Sequence, residues 1–226
     1  MTRVLLVDDQ ALLRMGFRLV LESEPDLEVV GEASDGDVAL DQVAALAPDV
    51  VLMDIRMPGT DGIEATRRVV AEHPSVRVLV LTTFDVDEYA FAALRAGASG
   101  FLLKNARPDE LVDAIRTVAS GSSVVAPRVV RRMLDLFAHH LPDRGDAPTT
   151  GDALDPRLRS LTPRELDVLH GMAQGESNAE IADRLVLSPT TVKTHVGNVL
   201  AKLGVRDRVQ AVIVAFESGL VGSDRR

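Results

Sequence analysis

The sequence contains no cysteine and no tryptophan among its 226 residues, and aromatic residues make up 3% of it. The missing cysteines exclude a disulfide framework, a thiolate metal site and a cysteine nucleophile. Lysine is scarce too, since only Lys104, Lys193 and Lys202 occur beside 22 arginines. Apolar residues still account for 46% and charged residues for 26%, which is typical of a globular chain with an ordinary core.

Long apolar runs are also missing. The N-terminal segment MTRVLLVDDQ ends its short apolar run in two aspartates, whereas a secretory signal needs a longer apolar core and a cleavage site of small residues. No uncharged stretch reaches the roughly 20 residues that a membrane span requires. We therefore expect a cytoplasmic protein with no membrane partner.

Basic residues are fewer than acidic residues, which gives a net charge of −9, but the excess of acidic residues is unevenly distributed along the chain. Residues 1–120 hold 21 acidic and 11 basic residues, a net of −10, whereas residues 160–226 hold eight of each. Such asymmetry indicates two parts with different tasks. A neutral C-terminal part can bind nucleic acid only if its positive charge is concentrated locally.

The first 120 residues alternate apolar strand-like runs with helical patterns. We predict strands at 3–7, 28–33, 50–54, 77–82 and 99–103. We predict helices at 10–23, 36–47, 62–73, 86–96 and 108–119. The strand runs are almost continuously apolar, as in strands covered on both faces, so the fold class is α/β with a five-stranded, doubly wound parallel sheet.

The rest of the chain is predicted to be helical. Residues 121–159 are interpreted as a linker, with an amphipathic helix at 127–140 followed by a flexible stretch rich in Pro, Gly and Asp. A small all-α domain is then expected over 160–222. Its predicted helices are 162–174, 178–186, 189–203 and 206–218.

Acidic residues follow two of the predicted strands. Asp8 and Asp9 end the first and Asp54 ends the third, and the carboxyl ends of parallel strands share one edge of a sheet. Converging carboxylates repel one another, and Mg²⁺ relieves this with oxygen ligands. Thr82 and Lys104, which follow the fourth and fifth strands, add a hydroxyl and a positive charge, so the set suits formation of an aspartyl phosphate.

The motifs LLVDD, VLMDIRMPGTDG, LTTF and GFLLK, in this order and spacing, resemble the receiver domain of two-component response regulators. The resemblance covers residues 1–120 and implies a flavodoxin-like fold. It implies that Asp54 accepts a phosphoryl group from a sensor histidine kinase. It also implies that Asp8, Asp9, Asp54 and the backbone carbonyl of Arg56 bind Mg²⁺.

The same resemblance assigns further roles at this edge of the sheet. Thr82 and Lys104 would contact the phosphoryl group, and Phe101 matches the aromatic residue that moves on activation. Asn105 is a departure, because many receivers carry proline after the lysine. A cis bond is not expected there, since it is costly before a residue other than proline.

Residues 178–186 and 189–203 have the spacing of a helix-turn-helix, with a tight break at LSP. Val192, Val196 and Val199 recur at helical spacing and should pack inward. The opposite face, which includes Lys193 and Asn198, carries no bulky apolar residue and suits a DNA groove. Residues 188–208 hold four basic residues against one acid, so the required charge is concentrated here.

The stretch from LTPRELDVL to LGVRDRVQAV closely resembles the LuxR-type DNA-binding domain that follows receivers in the NarL/FixJ subfamily. The resemblance makes 189–203 the recognition helix and implies that 206–218 contributes to a homodimer on double-stranded DNA. Gly197 is a departure, because larger polar residues often occur there; it permits close approach to DNA or is simply tolerated. The predicted DNA contacts are Thr190, Thr191, Lys193, Thr194, Asn198, Lys202 and Arg206.

Together these observations predict a transcriptional regulator, not an enzyme, that is controlled by phosphorylation of Asp54. Three alternatives stay open from the residues alone. The acidic site could belong to a phosphatase that turns over its aspartyl phosphate. The helical domain could be a protein-interaction module. DNA binding could also be independent of phosphorylation.

Overall fold

The structure is a computed structural model that describes residues 1–82, 88–121 and 155–221. The chain divides into two compact units, Met1–Val124 and Val125–Arg226. The helix expected at 127–140 and most of the expected linker lie outside the described residues, so they stay predictions. The domain bounds of 1–120, 121–159 and 160–222 likewise stay predictions.

Five parallel strands form the sheet of the first unit, in the order β2-β1-β3-β4-β5. They are β1 (Thr2–Val7), β2 (Leu27–Ala33), β3 (Val50–Asp54), β4 (Arg77–Thr82) and β5 (Gly100–Leu103). The central strand β3 is buried along its whole length. Its cover on both faces explains the unbroken apolar runs in the sequence, and the predicted fold class is confirmed.

Five helices connect and follow these strands in the described part of the first unit. They are α1 (Ala11–Glu22), α2 (Gly36–Leu46), α3 (Gly62–Glu72), α4 (Glu88–Arg95) and α5 (Pro108–Ala119). Their bounds differ from the expected ones by at most two residues. Local chemistry sets them: the side chains of Asp35 and Asp61 accept backbone N–H groups at the starts of α2 and α3, and Pro108 opens α5.

The core of this unit lies between the sheet and its helices. On the side of α1 and α5, Leu6, Leu52, Leu79 and Ile115 pack into one cluster and are at most 1% exposed. Helices α2, α3 and α4 pack side by side in that order. The covered sheet holds its strand ends rigidly, and these ends carry the polar residues.

The described part of the second unit contains helices and no strand. Its helices are α6 (Pro163–Ala173), α7 (Asn178–Leu185), α8 (Pro189–Leu203) and α9 (Arg208–Glu217). The first three are capped by the residues that precede them, Thr162, Ser177 and Ser188, whose hydroxyls accept a backbone N–H three residues on. No helix in the described ranges is long and apolar enough to cross a membrane.

The end of the expected linker is structured, in contrast to the prediction of a flexible stretch up to 159. Pro156–Leu158 form a short 3₁₀ helix, which Asp155 caps by accepting the amide of Arg157 at 2.9 Å. Leu158 is 1% exposed. Burial of this leucine and an ion pair between Arg157 and Glu217 at 3.0 Å fasten the segment to the helical unit.

Candidate functional sites

The sheet register brings three carboxylates to one edge. Val7 pairs with Met53, so Asp8 leaves β1 beside the end of β3, where Asp54 stands. One carboxylate oxygen from each of Asp8, Asp9 and Asp54 lies within 4.8 Å of the others. Asp8 and Asp54 are buried, at 1% and 4% exposure, whereas Asp9 is exposed and marks the open side of the cluster.

Lys104 is the cation of this edge. Its ammonium lies 2.8 Å from Asp8 Oδ2 and 2.9 Å from Asp54 Oδ2, and its side chain is 7% exposed. The backbone N–H of Lys104 donates to the carbonyl of Thr82 at 2.8 Å, which extends the pairing of β5 with β4 by one residue. The sheet therefore fixes the lysine backbone while its side chain spans two acids.

Burial and charge pull the ionisation of this cluster in opposite directions. Burial raises the pKa of Asp54 above its usual range, and hydrogen bonding to Lys104 opposes this rise. Burial alone would lower the pKa of Lys104, but hydrogen bonds to Asp8 and Asp54 outweigh it and raise that pKa. The lysine is accordingly held in its charged form.

The acidic cluster is typical of a Mg²⁺ site, and its donor set fits that ion. Mg²⁺ binds through a few carboxylates and keeps several waters, and these three carboxyl groups provide oxygens on one side. Asp8 Oδ2 is buried and, apart from its ion pair with Lys104, accepts no hydrogen bond of regular geometry in the described part of the chain. A bound cation would add a second positive partner to this oxygen beside the Lys104 ammonium.

Of the remaining residues predicted for this site, Thr82 and Arg56 lie at the same edge of the sheet, whereas Phe101 lies two residues before the end of β5. Thr82 ends β4 and is 5% exposed. The backbone N–H of Arg56 donates to the Asp54 carboxylate, while the Arg56 residue as a whole is exposed. Phe101 lies in β5 opposite Val80 and is half-buried. Their roles stay predictions, because position alone does not test them.

A second candidate site lies on α8 in the helical unit. Val192 and Val199 are fully buried and Val196 is partly buried, as the inward stripe predicted. The opposite face of α8 is solvent-exposed and consists of Lys193, Thr194, Gly197, Asn198 and Ala201. A Cβ added at Gly197 would have open space around it, which leaves both interpretations of this glycine open.

The hydroxyls at the start of α8 are partly engaged within the helix. Ser188 Oγ accepts the amide of Thr191 at 3.0 Å and lies 2.8 Å from Thr191 Oγ1. Thr194 Oγ1 donates to the carbonyl of Thr190 at 3.2 Å. Thr190 is exposed at the helix N-terminus, where backbone N–H groups favour phosphate.

Three basic residues near the end of α8 contact other side chains of the same helical unit. Lys202 Nζ lies 2.7 Å from Glu165 Oε2, and Glu165 is a buried capping residue of α6. The Arg206 side chain is 13% exposed and lies beside Asp207. Arg208 donates to Asn178 Oδ1 at 2.9 Å. The predicted DNA contacts of Lys202 and Arg206 remain untested, but both side chains are held in the domain.

Several contacts at these sites could not be predicted from local sequence patterns. Thr162-Pro-Arg-Glu165 predicts a helix start, since it matches a capping box, but nothing in it indicates the partner Lys202. A salt bridge that joins Arg14 of α1 to Glu32 of β2 was also missed. Such pairs join residues far apart in sequence, so only the fold brings them together.

Two protein-family models match this chain. One describes the response regulator receiver domain and covers residues 4–116. The other describes bacterial regulatory proteins of the luxR family and covers residues 159–215. The two matches fall one in each compact unit.

Relatives are similar over nearly the whole length. The transcriptional regulatory protein LiaR of Bacillus subtilis is 41% identical over 98% of this chain and 100% of its own. The response regulator protein VraR of Staphylococcus aureus is 38% identical over 97% of this chain and 98% of its own. A solved structure of two RcsB dimers bound to two parallel DNAs is 26% identical over 96% of this chain and 98% of that chain, with a TM-score of 0.52.

Proposed function

This chain belongs to the response regulators of the NarL/FixJ type, which join a receiver domain to a LuxR-type DNA-binding domain, and on that basis we propose that phosphorylation of Asp54 by a sensor histidine kinase controls its binding to DNA. Members of this family are transcription regulators and not enzymes, which argues against the phosphatase alternative.

The observation that carries the receiver part is the contact of Lys104 with both Asp8 and Asp54, at 2.8 and 2.9 Å. An Asp54 oxygen attacks phosphorus while the bond to the kinase histidine nitrogen breaks and leaves its electron pair on that nitrogen. Lys104 stays within reach of the new phosphoryl oxygens and stabilises their charge.

Asp8, Asp9 and Asp54 would hold Mg²⁺, together with the carbonyl of Arg56. The bound ion supplies neutralisation of negative charge on the phosphoryl oxygens. Thr82, at the end of β4, would donate its hydroxyl to one of these oxygens. The added negative charge changes the balance around Lys104, and this local change is the signal that the receiver transmits.

The DNA-binding part of the proposal rests on the exposed face of α8. Lys193 and Asn198 are exposed there together and carry donors suited to base edges, as Lys donates to guanine and Asn pairs with adenine. The RcsB structure, in which dimers bind DNA, supports the inference that this protein also binds DNA as a homodimer.

Labelling of Asp54 tests the receiver part. Asp54→Asn should abolish labelling by a phosphodonor such as acetyl phosphate, because an amide oxygen is a far weaker nucleophile than a carboxylate. The aspartyl phosphate is measured as added mass on the intact protein by mass spectrometry. Asp61→Asn is the matched control, since Asp61 caps α3 in the same loop and asparagine caps equally well. Persistent labelling of Asp54→Asn would refute the assignment.

A change of Lys193 to alanine tests the DNA interface. We expect Lys193→Ala to weaken binding to the cognate site by about 1–3 kcal/mol and to relax the preference at one base position. The cognate site is first selected from a random DNA pool, and affinity is then measured by titration. An equal loss on every DNA sequence would mean that Lys193 contacts only phosphate.

A further inference from the structure

Arg14, in the first turn of α1, reaches back to the loop that carries the acidic cluster. Its Nη1 donates to the backbone carbonyl of Asp8 at 2.5 Å. Gln10, which precedes α1, makes no side-chain capping hydrogen bond. The loop between β1 and α1 is therefore held by a guanidinium one turn further along the chain and not by a capping side chain.

Glu32, near the end of β2, sets the direction of that guanidinium. Arg14 Nε donates to Glu32 Oε2 at 3.0 Å, and Arg18 Nε donates to Glu32 Oε1 at 2.6 Å. The Arg14 side chain is only 16% exposed. The Arg14 guanidinium is planar and is held at Nε by Glu32 and at Nη1 by the Asp8 carbonyl, so it has little freedom to rotate. The carboxylate of Glu32 therefore fixes where Nη1 points.

The peptide that joins Asp8 to Asp9 is the part of the cluster that Arg14 controls. Asp8 is otherwise held by its amide, which donates to Ala33 at 3.2 Å, by its Oδ1, which accepts the amide of Gln10 at 2.8 Å, and by its Oδ2, which lies 2.8 Å from the Lys104 ammonium. None of these three contacts involves the Asp8 carbonyl. Rotation of this peptide would move the Asp9 carboxylate away from those of Asp8 and Asp54.

We propose that Arg14, oriented by Glu32, is a positioning residue for the cation site, a role that rests on the proposed function of Asp8, Asp9 and Asp54 as Mg²⁺ ligands. It acts through the Asp8–Asp9 peptide and not by contact with the reacting atoms. Partners of this kind, which orient metal ligands, are worth about 10–100-fold in metal affinity.

Calorimetric titration of Mg²⁺ alone into the unphosphorylated full chain measures this role directly. Arg14→Ala should weaken Mg²⁺ binding by about tenfold, near the lower end of that range. Arg18→Ala is the matched control: Arg18 lies on the same helix and binds Glu32 and Glu22, but the structure gives it no hydrogen bond to Asp8. Arg18→Ala should leave Mg²⁺ affinity unchanged.

The rate of phosphorylation by a small phosphodonor gives a second measurement. With Arg14→Ala the Mg²⁺ concentration for half-maximal rate should rise about tenfold, while the rate at saturating Mg²⁺ stays near that of the wild type. A purely structural role would lower the plateau and leave the half-saturation concentration unchanged, which would overturn the inference.

Glu32→Gln keeps the inference testable if Arg14→Ala fails to fold, because it retains Arg14 and removes only the charge that orients it. It should also weaken Mg²⁺ binding, by less than Arg14→Ala. If the wild type binds Mg²⁺ and the folded variants bind it equally well, the positioning role is refuted and the proposed function stands. If the wild type binds no Mg²⁺, the positioning role and the proposed function both fail.

Discussion

Gly62 illustrates how a single absent side chain shapes the acidic site. It begins α3, and a Cβ built on it would lie 1.8 Å from the carbonyl oxygen of Asp54. Its amide donates to the carbonyl of Ile55 at 2.9 Å, so the helix start is fastened directly to the end of β3. The clash is with backbone, which a side-chain rotation cannot relieve, and the glycine is required for this close approach.

Gly62→Ala should therefore destabilise the receiver by at least about 1–3 kcal/mol, the usual cost of overpacking, and slow labelling of Asp54. Gly16→Ala is the control, since Gly16 lies in α1 with no atom within 4 Å of its added Cβ. That change should stabilise the helix by about 0.5–1 kcal/mol. Urea unfolding followed by circular dichroism suits a chain without tryptophan. Equal stability of the two variants would contradict the prediction.

At the scale of elements, one ion pair joins the start of α6 to the end of α8. Glu165 is 4% exposed and accepts both the Thr162 amide at 2.8 Å and the Lys202 ammonium at 2.7 Å. The hydrogen bond from Lys202 is the largest cause that lowers the pKa of Glu165, from 4.5 to about 2. The contact thus fixes the end of α8 against the start of α6.

The ion pair predicts a defined dependence of stability on pH. Because the folded pKa of Glu165 is depressed, its ionised form contributes stability above its ordinary pKa of 4.5, and this contribution is lost as pH falls from about 4.5 to about 2. Glu165→Gln should cost about 1–2 kcal/mol at neutral pH, since a buried cap and a charge-assisted bond are weakened. The difference from wild type should shrink across that pH range in chemical unfolding experiments.

The stabilities of Lys202→Ala and of the double variant Glu165→Gln/Lys202→Ala show whether Lys202 acts through Glu165. The double variant should be no less stable than Glu165→Gln alone, as expected for two residues of one interaction. Additive losses would mean that the two side chains stabilise the domain independently and would contradict the ion-pair account.

The element bounds show which signals in a sequence are reliable. The bounds of β3 and α8 were predicted to the residue, because β3 is an isolated apolar run and α8 lies between Ser188-Pro189 and Gly204. The 3₁₀ helix at Pro156–Leu158 was not predicted. Its composition of Pro and Arg indicates a linker, and only burial of Leu158 in the folded unit orders it.

On the scale of the whole molecule, an acidic receiver is joined to a neutral DNA-binding unit. Residues 1–120 have a net charge of −10, and residues 160–226 have none. The receiver alone would be repelled by DNA, so under the proposed function affinity would come from the exposed face of α8 and from pairing of two such faces. Two weak binding units in one dimer would raise the overall affinity through effective concentration.

Half-site spacing tests this account in the complete protein. The phosphorylated protein should bind two half-sites whose centres lie about one helical turn, 10–10.5 bp, apart. Insertion of about half a turn should reduce the affinity to that of a single half-site, because the second face of the dimer then meets the wrong side of the duplex.

Insertion of a full turn, and Asp54→Asn protein treated with the same phosphodonor, are the controls, and both are measured by gel shift. Asp54→Asn should show no gain in affinity on treatment. A similar gain in the variant would mean that DNA binding does not depend on phosphorylation of Asp54.

The sequence by itself determined the alternation of strands and helices, the helix-turn-helix spacing and the convergence of Asp8, Asp9 and Asp54, because each follows from local periodicity and from the shared edge of a parallel sheet. Only the tertiary structure decided that Glu32 binds Arg14 and that Lys202 faces Glu165. Those contacts depend on where the ends of long side chains lie in the folded chain. Local sequence patterns cannot predict them, because the partners are 18 and 37 residues apart along the chain.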